Sequence, residues 1–145
     1  MFCVYLLSGY MAGAHIQEVA HEDFAIQLTD RPGELARVAT ALSRYGVNVK
    51  AVTGLAVGAN VLVRLIADDE GPARAALEAA HIPFQQHEIV TVLLENRAGE
   101  LAAVSQKLAD GRVNMQAIYL TGIVDNLVEL AIAVDNIEKA EELLG

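Results

Sequence analysis

Cys3 is the only cysteine in the 145-residue chain. A disulfide framework within the chain is therefore excluded, and so is any CxxC metal or redox motif. Cys3 itself reads as a small apolar residue near a terminus rather than a nucleophile. Basic residues are also few: ten Lys and Arg stand against nineteen Asp and Glu, for a formal net charge of −9. They are scattered, so the clustered positive surface on which nucleic-acid binding relies is missing. No stretch reaches the roughly 18 consecutive apolar residues of a membrane helix. The uncharged start MFCVYLLSGYMAG has no basic segment before its apolar run, which argues against a signal peptide. The expectations are a cytoplasmic protein, no membrane or nucleic-acid partner, and Met11 as an alternative start. Phosphate-loop, GxSxG and zinc motifs are absent, so no enzymatic activity and no cofactor is expected. What is present is apolar. Hydrophobic residues make up 54% and charged residues 20%, the balance of a chain that buries a core.

The informative feature is an internal repeat. DRPGELARVATALSRYGVNVKAV starts at Asp30 and NRAGELAAVSQKLADGRVNMQAI starts at Asn96, an ungapped offset of 66 residues. Arg31, Gly33, Glu34, Leu35, Ala36, Val38, Leu42, Val47, Asn48 and Ala51 recur as Arg97, Gly99, Glu100, Leu101, Ala102, Val104, Leu108, Val113, Asn114 and Ala117. Upstream, His15 and His21 match His81 and His87. Downstream, Asn60, Ile66-Ala67, Asp69 and Leu77 match Asn126, Ile132-Ala133, Asp135 and Leu143 at the same offset. Duplication explains the histidine pairs, whose spacing suits no helical metal site, so no metal is assigned.

Each copy reads as the same series of elements. Phe24, Ile26 and Leu28 alternate with Ala25 and Gln27 as in a strand, and Ile89 to Leu94 is a continuous apolar run expected of a more buried one. Leu35, Val38, Ala39 and Leu42, like Leu101, Val104, Ser105 and Leu108, have helical spacing. Asp30 or Asn96 is expected to cap that helix and Gly46 to end it, with a different end at Gly111. Hairpins follow over 47–67 and 113–134, turning at Gly58-Ala59 and Asp125-Asn126. Second helices are expected over about 72–81 and 137–144, the latter opened by an Asp135/Glu138 capping box. A short strand, 84–88, links the copies.

The expected fold class is α+β. Two ferredoxin-like βαββαβ units stand in tandem, each an antiparallel sheet with helices on one face. Residues 1–13 form an extension, 23–88 the first unit and 89–145 the second. The second unit lacks a final strand after its last helix. Residues 14–22 occupy the repeat position of 80–88 and are expected to complete it, within one chain or across a dimer. The rival is a permuted unit with a hairpin at His21-Glu22 and His87-Glu88. An uncompleted edge strand is a pairing site, so a homo-oligomer, most simply a dimer, is expected.

Asp30, Pro32, Gly33, Leu35, Gly46, Asn48 and Val49 resemble the signature of ACT domains, small modules that bind amino acids. Asn96, Gly99, Leu101 and Asn114 repeat it. Ala98 and Arg112 depart from the usual proline and glycine. The resemblance implies a sensor that binds an amino acid at interfaces between units. Its ligand would contact the loop and helix start at Asp30, Arg31, Pro32, Gly33, Glu34 and Leu35, together with Asn48. The second copy's equivalents are Asn96, Arg97, Ala98, Gly99, Glu100, Leu101 and Asn114. The chemistry is legible. Glycines admit close approach, helix N–H groups favour a carboxylate, Asp30 can accept from an ammonium group, and an asparagine offers donor and acceptor to a zwitterion. The plainer readings are a cap for Asp30 and Asn96, packing for the glycines, and ion pairs of Arg31 and Arg97 with Glu34 and Glu100. The alternative function implied is the regulatory subunit of an amino-acid biosynthetic enzyme, of the acetolactate synthase small-subunit type.

Overall fold

The computed structural model describes residues 15–16 and 21–145. Cys3, Met11, the rest of 1–14 and residues 17–20 of the expected first strand lie outside the described residues. The elements are β1 (His15–Ile16), β2 (His21–Thr29), α1 (Glu34–Arg44), β3 (Val49–Val57), β4 (Asn60–Ala67) and α2 (Glu70–Ala79). They continue with β5 (Gln85–Glu95), α3 (Glu100–Asp110), β6 (Met115–Val124), β7 (Leu127–Val134) and α4 (Ile137–Leu144). One antiparallel sheet runs in the order β3-β4-β2-β5-β7-β6, with β1 beside β5. These are two ferredoxin-like units in tandem, fused through a shared central strand. The expected strands 84–88 and 89–94 are one strand, β5. Its first residues pair with β2 and its later ones with β7.

The join has a local two-fold. Glu22 lies opposite Glu88 in the β2–β5 ladder, and the two are 66 residues apart in sequence. His15 and Ile16 pair with Leu93 and Val92, on the edge of β5 opposite β7. That is the place β5 itself takes beside β2. His21 and Glu22 are inside β2, not at a hairpin. On the helical face, Glu70 accepts a hydrogen bond from the Glu22 N–H at 2.9 Å, and Gln86 links Glu22 to Arg74.

Alternation drives the packing. Phe24, Ile26 and Leu28 point from β2 into a core with Val38, Leu42, Leu65 and Leu77. Val90, Val92 and Leu94 do the same from β5 with Val104, Leu108, Ile132 and Leu144. The helix faces that are buried are narrower than the apolar spacing predicts: Leu35 and Leu101 are more than half exposed. A third cluster, Ala51, Ile66, Ile89, Tyr119, Ala131 and Ala133, lies on the face away from the helices. It is buried because the outermost strands, β3 and β6, come into contact. The sheet curls over that face, and its alanines leave room for the curl.

The ladders correct the repeat alignment. Arg64 pairs with Ala25, and Ala131 pairs with Thr91, so Ala131 rather than Leu130 is the counterpart of Arg64. One extra residue accounts for it: the β6–β7 register shifts between Leu120 and Gly122. Beyond that bulge the offset is 67, so the match of Ile66-Ala67 with Ile132-Ala133 at 66 was coincidental. Ala73 and Leu77 correspond instead to Ala140 and Leu144, all fully buried.

The helix ends carry further corrections. Asn136 caps α4, accepting from the Lys139 N–H at 3.0 Å. Asp135 therefore forms no capping box; it bonds the Asn114 N–H at 2.9 Å. Helix α2 opens two residues early because Asp69 caps it, accepting from the Gly71 N–H. Helices α1 and α3 end at equivalent places. Val47 and Val113 donate back to Leu42 and Leu108, and Gly46 and Arg112 take the left-handed turn at φ 68° and 58°. For a non-glycine residue that conformation costs roughly 1–2 kcal/mol, offset in part by the greater unfolded-state entropy of glycine. Arg112→Gly is expected to stabilise the fold by about 0.5–1 kcal/mol, read as a higher urea midpoint at unchanged slope.

Candidate functional site

The two repeated loops are built alike. At the end of β2, the Asp30 N–H donates to Ala59 at 3.0 Å and the Arg31 N–H to Thr29 at 2.9 Å. At the end of β5, Asn96 donates to Asn126 and Arg97 to Glu95. Each hairpin turn thus holds its loop against the sheet. The caps of α1 and α3 are Gly33 and Gly99, at φ 90° and 96°, and no side chain caps either helix. The expected caps Asp30 and Asn96 lie too far upstream, because the left-handed glycine turns the chain between them and the helix. The contrast with α2 and α4 is informative, since Asp69 and Asn136 close those helix starts.

Around the first loop, Arg31 donates to Glu34 Oε1 at 2.7 Å and Arg37 to Glu34 Oε2 at 3.0 Å. The hydrogen bonds from Arg31 and then Arg37 hold the Glu34 carboxyl below its ordinary value. In the second, Arg97 reaches Glu100 and Glu95, both at 2.7 Å. Asp30, Pro32, Leu35, Ala98 and Leu101 are exposed beside these pairs. A carboxyl held low contributes stability that is present above its unfolded value and lost as pH falls through its folded one. The advantage of the native chain over Glu34→Gln is therefore expected at pH 7 and should vanish under acid, followed by urea midpoints across pH.

Asn48 and Asn114 are used through their backbones. The Asn48 N–H donates to Asp68 Oδ1 at 3.0 Å while its carbonyl accepts from the Asp68 N–H, and Asn114 and Asp135 repeat the exchange. Among the described residues neither asparagine side chain is otherwise engaged.

The structure does not bring loop and asparagine together. Asn48 precedes Val49, which pairs with Ala67 at the inner end of the first unit, near the level of Glu22. Asp30 lies at the outer end, beyond the Thr29–Asn60 pair. The nine residues of β3 separate them, about 25–30 Å at roughly 3.3 Å per residue. Because β5 runs against β2, the second unit points the other way. Its Asn96 loop lies at the opposite outer end, and Asn114 again near the middle.

Four side chains outside the repeated loops come together. Asp23, Arg64, Tyr119 and His87 meet inside the curl of the sheet. The one signal for them was a charged residue, Arg64, in the middle of an apolar strand.

Residues 25–81 match the family described as ACT domain. Those residues are the first unit from within β2 to just past α2, and the second unit repeats their fold and motif. The stretch 25–81 of the chain is thus an ACT domain. No curated protein matches it significantly. Among solved structures, one from Bacteroides thetaiotaomicron is similar at TM-score 0.78 and 24% identity, over 90% of this chain and 88% of that one. The regulatory subunit of aspartate kinase from Thermus thermophilus, in its ligand-free form, gives 0.65 and 20% over 92% and 93%. That from Thermus flavus gives 0.64 and 20% over 92% and 95%. These likenesses are in the fold. Among the described residues no helix is long and apolar enough to cross a membrane, and no group of three or more His, Cys, Asp or Glu is placed to hold a metal.

Proposed function

We propose that the chain is a non-catalytic regulatory protein that binds an amino acid at its two repeated loops. The carrying observation is that, among the described helices, α1 and α3 open on a glycine with no capping side chain while α2 and α4 are capped. Residues 31–33 and 97–99 beside the starts of α1 and α3 are exposed, so an α-carboxylate can reach the uncapped N–H groups there. Asp30 offers an acceptor for the ammonium group, and exposed Leu35 and Leu101 offer apolar contact. In this reading His15 and Ile16, paired with Leu93 and Val92, belong to the fourth strand of the second unit.

In this reading the asparagine side of each site comes from a second copy. Loop and asparagine lie at opposite ends of one unit, while the outer halves of β3 and β6 run from the middle to the loops with an edge that no strand among the described residues pairs. Leu55, Val57, Ile123 and Val124 are exposed there. A homodimer along these edges would set one copy's loop beside the other's strand.

The test is a thermal-shift screen of the twenty amino acids. A ligand at 100 times its Kd stabilises by about 2.7 kcal/mol, and at least one is expected to do so. The shift should be lost in Asp30→Ala combined with Asn96→Ala. No shift with any of them at millimolar concentration would overturn the reading. A second reading is a regulatory subunit of an amino-acid biosynthetic enzyme acting through protein contacts. The acetolactate synthase type is what the sequence resemblance implies. Aspartate kinase is the enzyme named for two structures that share this fold across most of the chain. Capture of one such enzyme from the host's extract would favour it.

A further inference from the structure

Among the described residues the interior of the curled sheet holds one fully buried carboxylate, Asp23. Arg64 grips it with two hydrogen bonds, Nε to Oδ2 at 2.6 Å and Nη2 to Oδ1 at 2.9 Å. Tyr119 comes from the other unit, 96 residues away, and donates its hydroxyl to Oδ2 at 3.0 Å. Burial, and then the negative charge of Asp23, hold the Tyr119 hydroxyl well above its ordinary value, so it remains a donor. His87 is directly opposite Asp23 in the ladder, with its buried Nδ1 3.6 Å from Oδ1 and without a hydrogen bond.

The local two-fold does not repeat this arrangement. Ile89, 66 residues on, stands where Asp23 would be. Ala131, which pairs with Thr91 as Arg64 pairs with Ala25, stands in place of Arg64. Thr53, which pairs with Arg64 as Tyr119 pairs with Ala131, stands in place of Tyr119. One half of the interior is therefore charged and the other is apolar. The charged half needs both units: carboxylate and guanidinium from the first, hydroxyl from the second.

We propose that this node selects the partner of each unit, so that a first unit joins a second unit and never another first. The two units share a fold, a seam and a repeated sequence, so copies of the chain could pair like with like. Two first units would leave Asp23 facing Thr53, without the tyrosine hydroxyl. Two second units would leave the Tyr119 hydroxyl among Ile89 and Ala131, without an acceptor. The second pairing buries an unsatisfied hydroxyl, which is costly, and the first deprives the buried carboxylate of one of its three hydrogen bonds. Only the unlike pairing satisfies both. Partner and register choice is the best-attested use of buried ionic groups, whose net contribution to stability is often small.

The test uses the full chain and makes the two halves alike: Asp23→Ile with Arg64→Ala and Tyr119→Thr. The native chain and the variant are unfolded in urea, refolded at micromolar concentration and sized by light scattering. The native chain is expected to return to the single species it held before unfolding. The variant is expected to fold, by circular dichroism, yet to return as several species, with more than a fifth of its mass in forms the native chain does not show. A folded variant with the native chain's single species would overturn the proposal. If the triple variant does not fold, Asp23→Asn with Tyr119→Phe keeps the shapes and is read the same way. Failure of both to fold would make the node a stabilising element without selectivity, and would also overturn it. None of these outcomes depends on a ligand, so they stand apart from the amino-acid reading.

Discussion

Replacing Asp23 alone by alanine is expected to cost about 3–5 kcal/mol of folding free energy, because one partner of a buried pair is removed and the other is left behind. Arg64 would keep its charge within the curl of the sheet, and Tyr119 would keep a hydroxyl with no acceptor. The Arg64 side chain is 17% exposed, so water reaches part of the guanidinium and the lower end of that range applies. Tyr119→Phe removes a single hydrogen bond to a charged group and should cost about 1.5–3 kcal/mol. The contrast with replacing all three residues is the decisive part. Removing the whole node leaves no stranded charge, so the triple variant should lose less than Asp23→Ala does. Urea denaturation of the three variants measures the ordering. If Asp23→Ala cost less than about 1 kcal/mol, the carboxylate would be better hydrated than its full burial implies.

Much of this fold is legible from residue order, and what escapes does so for identifiable reasons. The period of 66 and the alternation at Phe24, Ile26 and Leu28 specify the elements, because each depends on neighbours close in sequence. The extra residue in β6 was hidden because Ile66-Ala67 and Ile132-Ala133 happen to agree at the wrong offset. Only a hydrogen-bonded register tells the two alignments apart. The caps were misplaced for a related reason. Asp30 and Asn96 have the chemistry of a cap, but Gly33 and Gly99 adopt a left-handed turn that excludes them. Nothing in local patterning announces the turn beyond the glycine itself. The Asp23 node lies furthest from sequence reasoning: its hydroxyl and carboxylate are 96 residues apart, and meet only because the sheet curls. The candidate site shows the same limit. The motif brings Gly33 and Asn48 close in sequence, while a nine-residue strand holds loop and asparagine apart.

If the site is shared between two copies as proposed, that separation makes the strand edges the place where ligand binding is most exposed to mutation. Residues 51–63 carry no charged side chain and no proline, and neither do residues 113–124. Natural proteins usually protect a free edge with charge, proline or a covering element. Here the outer halves of β3 and β6 instead present Leu55, Val57, Ile123 and Val124 to the outside. In a chain of net charge −9, these uncharged edges are where two copies can approach with least repulsion. Lysines at Leu55 and Ile123 together would bury an unpaired ammonium group at each edge of the proposed dimer. Truncating a central interface residue commonly costs about 2 kcal/mol or more, roughly 30-fold in Kd, and two such sites should weaken the dimer about a thousandfold. Both side chains are exposed in the single chain, so its own stability should change by less than about 0.5 kcal/mol. Light scattering across a concentration series reads the dimer, and thermal shift reads the ligand. Both signals should fall together in the double variant, because one copy alone cannot set a loop beside an asparagine. A native chain that is monomeric and still responds to an amino acid would place the whole ligand on one loop and overturn the shared site.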